Sequence, residues 1–379
     1  MSRTMIIGAG KTGRGFVARL LGERHVPVTF VDKDEILVEK LQEAVSKGGF
    51  PIRFFGDVRE PLKITKYQAV TWEQADFSDV ELLFVAVGGV NLKDVGIRLK
   101  EKLPENHKVY IITCENASNP AGVLREAVDM ENVLVSQATV FCTTTAEKGE
   151  LGIDSENYPY LQFDADLLEG YVPEADTIRP VKNFGNFLTR KLFTYNAASA
   201  VIAYLGYIYG YKDYSQAANC PVIQELLDQN YEVTNKVLCE EFCYDPEDQK
   251  EFALLSRAKF TSKTIVDTVE RNAREPQRKL GSTERIMGPL KLVYSHREDC
   301  QVLAMTAAAA LLYDGEDEDA WKEIRRTHTP EEILRKIGGL EDQQLIDVVM
   351  EQYHKLEKIQ DSYAENDPEN TKMMERRNK

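Results

Sequence analysis

Along the first 180 residues, short β-branched apolar runs alternate with amphipathic stretches, the order that a parallel sheet with crossover helices requires. Strands are predicted at residues 4–7, 28–31, 82–87, 109–113 and 133–141. Beyond about Pro180 the apolar period lengthens. Residues 181–211, 221–242, 248–274, 301–313 and 330–358 read as helices, so the second half should be mostly α. The pattern therefore predicts an α/β domain over 1–180 and a helical domain over 181–360. From 361 the polar run AENDPENTKMMERRNK has too little apolar surface to offset its ordering entropy, and 361–379 is expected to be a disordered tail. The Asp314 to Asp319 stretch reads as a solvated loop, and Ala307 to Ala310 as a closely packed helix.

Length agrees with two domains, since 379 residues exceed one ordinary core. No apolar run reaches the roughly 18 to 20 residues that cross a bilayer. The chain passes from its first methionine directly into a strand, without the marks of a signal peptide, so a soluble cytoplasmic protein is expected. Six cysteines without regular spacing read as free, buried thiols. A formal charge of −15 makes nucleic acid and anionic lipid poor partners. A small anionic substrate stays open, because a few converging cations dominate a local pocket.

Gly8-Ala9-Gly10-Lys11-Thr12-Gly13 follows the first strand and opens a helix, the context in which G-x-G-x-x-G reads as a dinucleotide fingerprint. Gly8 allows the tight turn, Gly10 admits the pyrophosphate to the backbone, and Gly13 lets helix and strand pack closely. The helix N-terminus offers its free N–H groups to the phosphates. Asp32, nineteen residues past Gly13, ends the second strand, where a carboxylate accepts the adenine ribose hydroxyls and repels a 2′-phosphate. This favours NAD over NADP, with Lys33 beside it as a counterweight. The alternative is a glycine-rich turn with a surface aspartate. Ala86-Val87-Gly88-Gly89 and Cys114-Glu115-Asn116 end two further strands, where a cofactor would pass, so Gly88, Glu115 and Asn116 join the candidates. For Asn116 an ordinary turn asparagine is an equal alternative.

The helix around RKLFTYNAAS carries Lys191 among Phe187, Leu192, Phe193, Val201 and Ile202. Desolvation lowers a lysine pKa towards neutrality and makes it a usable base or acid. At about 100° per residue, Asn196 lies about 140° and Ser199 about 80° around the axis from Lys191, one broad face. A lysine snorkelling to solvent beside Arg190 is the alternative. Further on, Arg271, Arg274, Arg278, Lys279 and Arg285 gather around Pro276, and guanidinium groups match phosphate oxygens in paired bonds. Here the alternative is a surface turn neutralising Glu270, Glu275 and Glu284. Cys239 and Cys243 stand one helical turn apart, but no histidine or second cysteine pair accompanies them, so no metal site is expected.

The segments GAGKTGRGF, AVGGV, CEN, RKLFTYN followed by AYLG, and REPQRKLG together resemble the polyol-specific long-chain dehydrogenases, in the expected order from the first strand to about Tyr353. The resemblance implies a Rossmann-type, doubly wound sheet carrying NAD, a helical domain that closes over the substrate, and no required metal. It implies hydride transfer between nicotinamide and a polyol or polyol phosphate. Lys191 and Asn196 match the family's lysine and asparagine, and Asn116 its asparagine after the fifth strand. Lys191 would then be the general base, with Asn116 and Asn196 holding the oxygen. Ser199 stands where the family has a histidine and would orient substrate at best. Arg274, Arg278 and Lys279 match the R-x-P-x-R-K-L stretch, implying substrate contacts. Residues 140–145 lack the aspartate–arginine pair that members tend to carry. An opine-type or keto-acid reductase, and an NAD-binding protein without catalysis, are the alternative functions.

Overall fold

The computed structural model describes residues 3–57, 60–117, 119–263 and 267–366. They form two compact units that divide between Gly185 and Asn186.

The first unit is built on an eight-stranded sheet. Its parallel part uses β1 (Thr4–Ile7), β2 (Val28–Asp32), β5 (Tyr67–Thr71), β6 (Leu82–Val85), β7 (Val109–Thr113) and β8 (Val133–Thr139). Between them β3 (Phe50–Phe54) and β4 (Leu62–Ile64) pair with β9 (Thr144–Thr145) and β10 (Ile153–Ser155) in a separate four-stranded sheet. Two later strands, β11 (Leu161–Asp164) and β12 (Ile178–Val181), extend the main sheet, with β11 antiparallel to β8. The main order is β12-β11-β8-β7-β6-β1-β2-β5, so the parallel six form a doubly wound Rossmann sheet that reverses between β1 and β6. Both faces are covered, which is why TMII and LLFV are buried at every position instead of alternating. Helices α1 (Ala18–Gly22), α2 (Glu35–Ser46), α3 (Leu92–Lys100) and α4 (Pro120–Val128) flank the strands.

The second unit is helical. After α5 (Phe184–Lys191) come a π turn at Leu192–Asn196, α6 (Ala197–Ile208), α7 (Tyr214–Ala218), α8 (Pro221–Phe242), α9 (Pro246–Thr261), α10 (Val269–Ala273), α11 (Pro276–Lys279), α12 (Met287–Ser295) and α13 (Gln301–Leu312). Helices α6 and α13 pack together and are apolar almost all round, the mark of central helices.

Several expectations are corrected. Residues 181–211 are no single helix, because strand, α5, π turn and α6 divide them. The 248–274 stretch gives α9 and α10; α14 (Asp319–Thr327) follows α13, and 330–358 breaks at Gly338 and Gly339, the latter with φ +62°, into α15 (Pro330–Lys336) and α16 (Gln343–Asn366). Residues 361–366, expected in the disordered tail, belong to α16, which runs to Asn366; residues 367–379 lie outside the described residues. All six cysteines are free, but only Cys114, Cys142 and Cys300 are buried. Cys243 is exposed because it ends α8 in a left-handed conformation and so leaves the helix's buried face. Among the described residues no group of three or more His, Cys, Asp or Glu side chains could hold a metal, and no helix is long and apolar enough to cross a membrane.

Candidate active site

The carboxyl ends of β1, β2, β6 and β7 surround a cleft of about 490 Å³, lined by Gly8, Gly10, Lys11 and Thr12, by Val31 and Asp32, by Val87 and Gly88, and by Glu115. This is the topological switch point of the sheet, where α/β proteins bind ligands. The glycines differ in what they do there. Gly8 has φ +95°, and a Cβ on it would stand 2.3 Å from the Ala86 carbonyl oxygen. A Cβ on Gly13 would meet the Gly8 oxygen at 2.0 Å, so Gly13 is a packing residue beneath the turn. Around Gly10 there is open space, the cradle that a pyrophosphate needs next to backbone amides. These residues fit a dinucleotide.

Asp32 is held ready. One carboxylate oxygen accepts the Ala9 amide at 2.6 Å and the other the Asp34 amide at 3.0 Å, which leaves lone pairs on each for ribose hydroxyls. Ala9 itself is buried and contributes through its backbone. Beneath the turn the buried Arg14 guanidinium donates to the Ala9 carbonyl; burial lowers its pKa and the nearby Asp32 charge partly restores it. At the other side Glu115 accepts the amides of Val87 at 2.6 Å and Gly88 at 2.7 Å. Burial pushes the Glu115 carboxyl up, against the pull of those two donors. Asn116 is exposed beyond β7 and does not line the cleft. Trp72 and Arg98, which the sequence did not single out, line the same cleft, with the Arg98 guanidinium 5.8 Å from the Trp72 ring.

In the second unit, Lys191 ends α5 where the helix widens into the π turn, closed by the Ala197 amide donating to the Leu192 carbonyl. Such turns insert one residue and recur at functional sites. The insertion corrects the facing expected from α-helical spacing. With one residue absorbed, Asn196 lies about 40° and Ser199 about 20° from Lys191, so the broad face becomes a narrow stripe. The π turn is braced by Gln249 of α9, which accepts from Arg190 Nε at 2.6 Å and donates to Thr194 Oγ1 at 3.2 Å, one residue before Lys191 and three after it. Arg190 is buried, bridged to Asp248 at 2.8 Å and stacked on the rings of Tyr244 and Phe252.

Lys191 is partly buried, and its pKa falls to about 8, first through burial and then through the cations Lys259 and Arg285. Ser199 accepts from the Tyr214 hydroxyl at 3.1 Å.

The basic segment divides. Arg278 is exposed and already balanced by Glu275 at 2.6 Å and Glu284 at 3.7 Å, which corrects its expected place as a converging cation, and Arg274 is exposed too. A turn that places carboxylates beside its own arginines neutralises them locally. Lys279 is buried instead, donating to the Asn272 carbonyl 5.9 Å from the Tyr204 ring; burial, then Arg285 and Arg278, lower its pKa to about 7. Arg285, 3.5 Å from Glu284, is the member of the segment whose charge reaches Lys191. Lys259 on α9 joins it from outside the segment, with no signal in the local sequence.

A family model described as Mannitol dehydrogenase C-terminal domain matches residues 183–369, and one described as Ketopantoate reductase PanE/ApbA matches 4–155. Mannitol-1-phosphate 5-dehydrogenases from Bacillus pumilus and Caldanaerobacter subterraneus subsp. tengcongensis are each 27% identical to the chain. The matches cover 89% of this chain and 95% of the first relative, and 94% and 99% for the second. A solved D-sorbitol dehydrogenase in substrate-free form superposes with a TM-score of 0.73 at 12% identity, covering 94% of both chains. Pseudomonas fluorescens mannitol 2-dehydrogenase, in a ternary complex with NAD and D-mannitol, gives 0.59 at 11%, covering 97% of this chain and 95% of that one. At such identities the structures speak for the fold. The helical unit is thus similar to the mannitol dehydrogenase C-terminal domain, and almost the whole chain is similar to mannitol-1-phosphate 5-dehydrogenases.

Proposed function

We propose that the chain is an NAD(H)-dependent dehydrogenase that interconverts a polyol phosphate and its keto form, of the mannitol 1-phosphate and fructose 6-phosphate type. The observation that carries this is Lys191, a lysine with its pKa brought to about 8 on one stripe with Asn196 and Ser199. A base or acid poised near the working pH is what proton transfer from a carbinol requires.

The bound nicotinamide supplies the hydride acceptor or donor. Gly8, Gly10, Lys11 and Thr12 would hold the pyrophosphate, Asp32 the adenine ribose, and Gly88 and Glu115 the chain's passage towards the nicotinamide. Neutral Lys191 takes the hydroxyl proton in oxidation and returns it in reduction. Asn196 donates to the oxygen as it becomes alkoxide-like, where a positioned donor is worth about 3 kcal/mol or more; Asn116, exposed and outside the cofactor cleft, is not assigned that role. For the phosphate, Arg285 and Lys259 are preferred over Arg274 and Arg278. Their charges already act on Lys191, whereas Arg278 is neutralised by its own glutamates.

The first unit's likeness to ketopantoate reductase keeps a 2-keto acid reductase in view, since that match stops at residue 155, short of Lys191. NADH oxidation measured against fructose 6-phosphate, fructose and 2-keto acids separates the two. Turnover confined to 2-keto acids overturns the proposal, and equal turnover of fructose and fructose 6-phosphate removes its phosphate.

A further inference from the structure

We infer that Tyr214 is a positioning residue that orients the Ser199 hydroxyl as a hydrogen-bond donor to the reacting oxygen. The inference rests on the proposed dehydrogenase chemistry and adds a residue that neither the sequence motif nor the family likeness marks.

Ser199 has a hydroxyl with one proton to give and two lone pairs to offer. Tyr214, 2% exposed at the start of α7, donates its hydroxyl proton into one lone pair at 3.1 Å. Tyr214 is the hydrogen-bond partner of the Ser199 side chain, and among the described residues the serine proton has no acceptor. A serine in mid-helix ordinarily spends that proton on the carbonyl four residues back. Here the half-buried hydroxyl instead keeps it, on the stripe shared with Lys191 and Asn196.

The geometry makes the phenol the donor of this pair. Burial pushes the Tyr214 hydroxyl far above its ordinary pKa, the Ser199 contact opposing this in part, so it keeps the proton that it donates to Ser199. Its ring is held edge-on to Phe260, centroids 6.2 Å apart, and its amide donates to the Asp267 carbonyl at 3.0 Å. Both ends of the residue are therefore fixed. A hydroxyl that accepts a hydrogen bond becomes a stronger donor, because the two bonds polarise one another. The chain Tyr214 to Ser199 to substrate oxygen thus supplies a neutral, oriented donor beside Lys191.

The test is a double-mutant cycle of Tyr214→Phe and Ser199→Ala, measured as kcat and KM for polyol phosphate oxidation with NADH affinity followed by fluorescence. Tyr214→Phe keeps the ring and should fold. The expected result is a five- to tenfold loss of kcat, unchanged NADH affinity, and no further loss when the change is made in Ser199→Ala. Full kcat in Tyr214→Phe, or the same loss in both backgrounds, overturns the inference, since a structural role does not depend on Ser199. A wild-type enzyme that oxidises no polyol or polyol phosphate sinks the proposed function and this inference together; an active one with a failed cycle sinks only the inference.

Discussion

Replacing Lys191 separates its chemistry from its cost to the fold. At pH 7 a lysine of pKa 10.5 is neutral in about one molecule in 3,000, whereas one at about 8 is neutral in about one in ten, a gain of about 300-fold in usable base. The assay is the pH dependence of kcat/KM in both directions, which reports the free enzyme. Oxidation needs the neutral amine and should rise about tenfold per pH unit up to about 8, then level. Reduction needs the ammonium and should fall above the same pH. Lys191→Met should lower kcat by about 10²- to 10⁴-fold and remove the inflection. It should also stabilise the fold. Because the folded pKa is depressed, the unfolded chain binds the extra proton between pH 8 and 10.5, so this residue's contribution to stability rises with pH across that window and is at its worst below pH 8. Relief of that penalty is worth at most about 3 kcal/mol at pH 7, read as a raised melting temperature there and a shrinking difference towards pH 10. A profile without an inflection between pH 7 and 9, or a Lys191→Met enzyme with more than a tenth of wild-type kcat, refutes the assignment.

Arg285→Ala should raise KM for the phosphorylated substrate far more than for its unphosphorylated counterpart, and should move the acid limb of the oxidation profile to higher pH, because a cation that depresses Lys191 has been removed; an unmoved limb denies that coupling. Asp32→Asn should weaken NADH by about 1.5 to 3 kcal/mol while NADPH binds no worse. Quenching of Trp72, which lines the cofactor cleft, measures both affinities, and a wild type without preference for NADH would show that Lys33 and Arg98 outweigh Asp32. Gly13→Ala, whose new Cβ would lie 2.0 Å from the Gly8 oxygen, should cost roughly 1 to 3 kcal/mol of stability by denaturant titration and impair NADH binding; wild-type stability would mean the turn yields freely.

What the sequence determined by itself was whatever depends on neighbours along the chain. The glycine fingerprint is a local device, since Gly8, Gly10 and Gly13 act within one turn and Asp32 ends the next β-branched run; likewise the parallel strands β1, β2, β6, β7 and β8 were legible as apolar runs, while their doubly wound order came with the family resemblance. Strands such as FPIRF and LKI escaped notice because they are short, partly polar and stabilised by pairing with β10 and with each other. Lys191, Asn196 and Ser199 were visible as residues, but not their alignment. Whether a helix absorbs an extra residue is decided by tertiary bracing, here Gln249 holding Arg190 and Thr194 on either side of the lysine. The same holds for charge. The basic segment around Pro276 looks uniform in sequence, yet folding neutralises Arg278 on the surface, buries Lys279, and brings Arg285 and the distant Lys259 to bear on Lys191. Burial and through-space fields set those pKa values, and both are properties of residues far apart in the chain that only the folded structure makes neighbours.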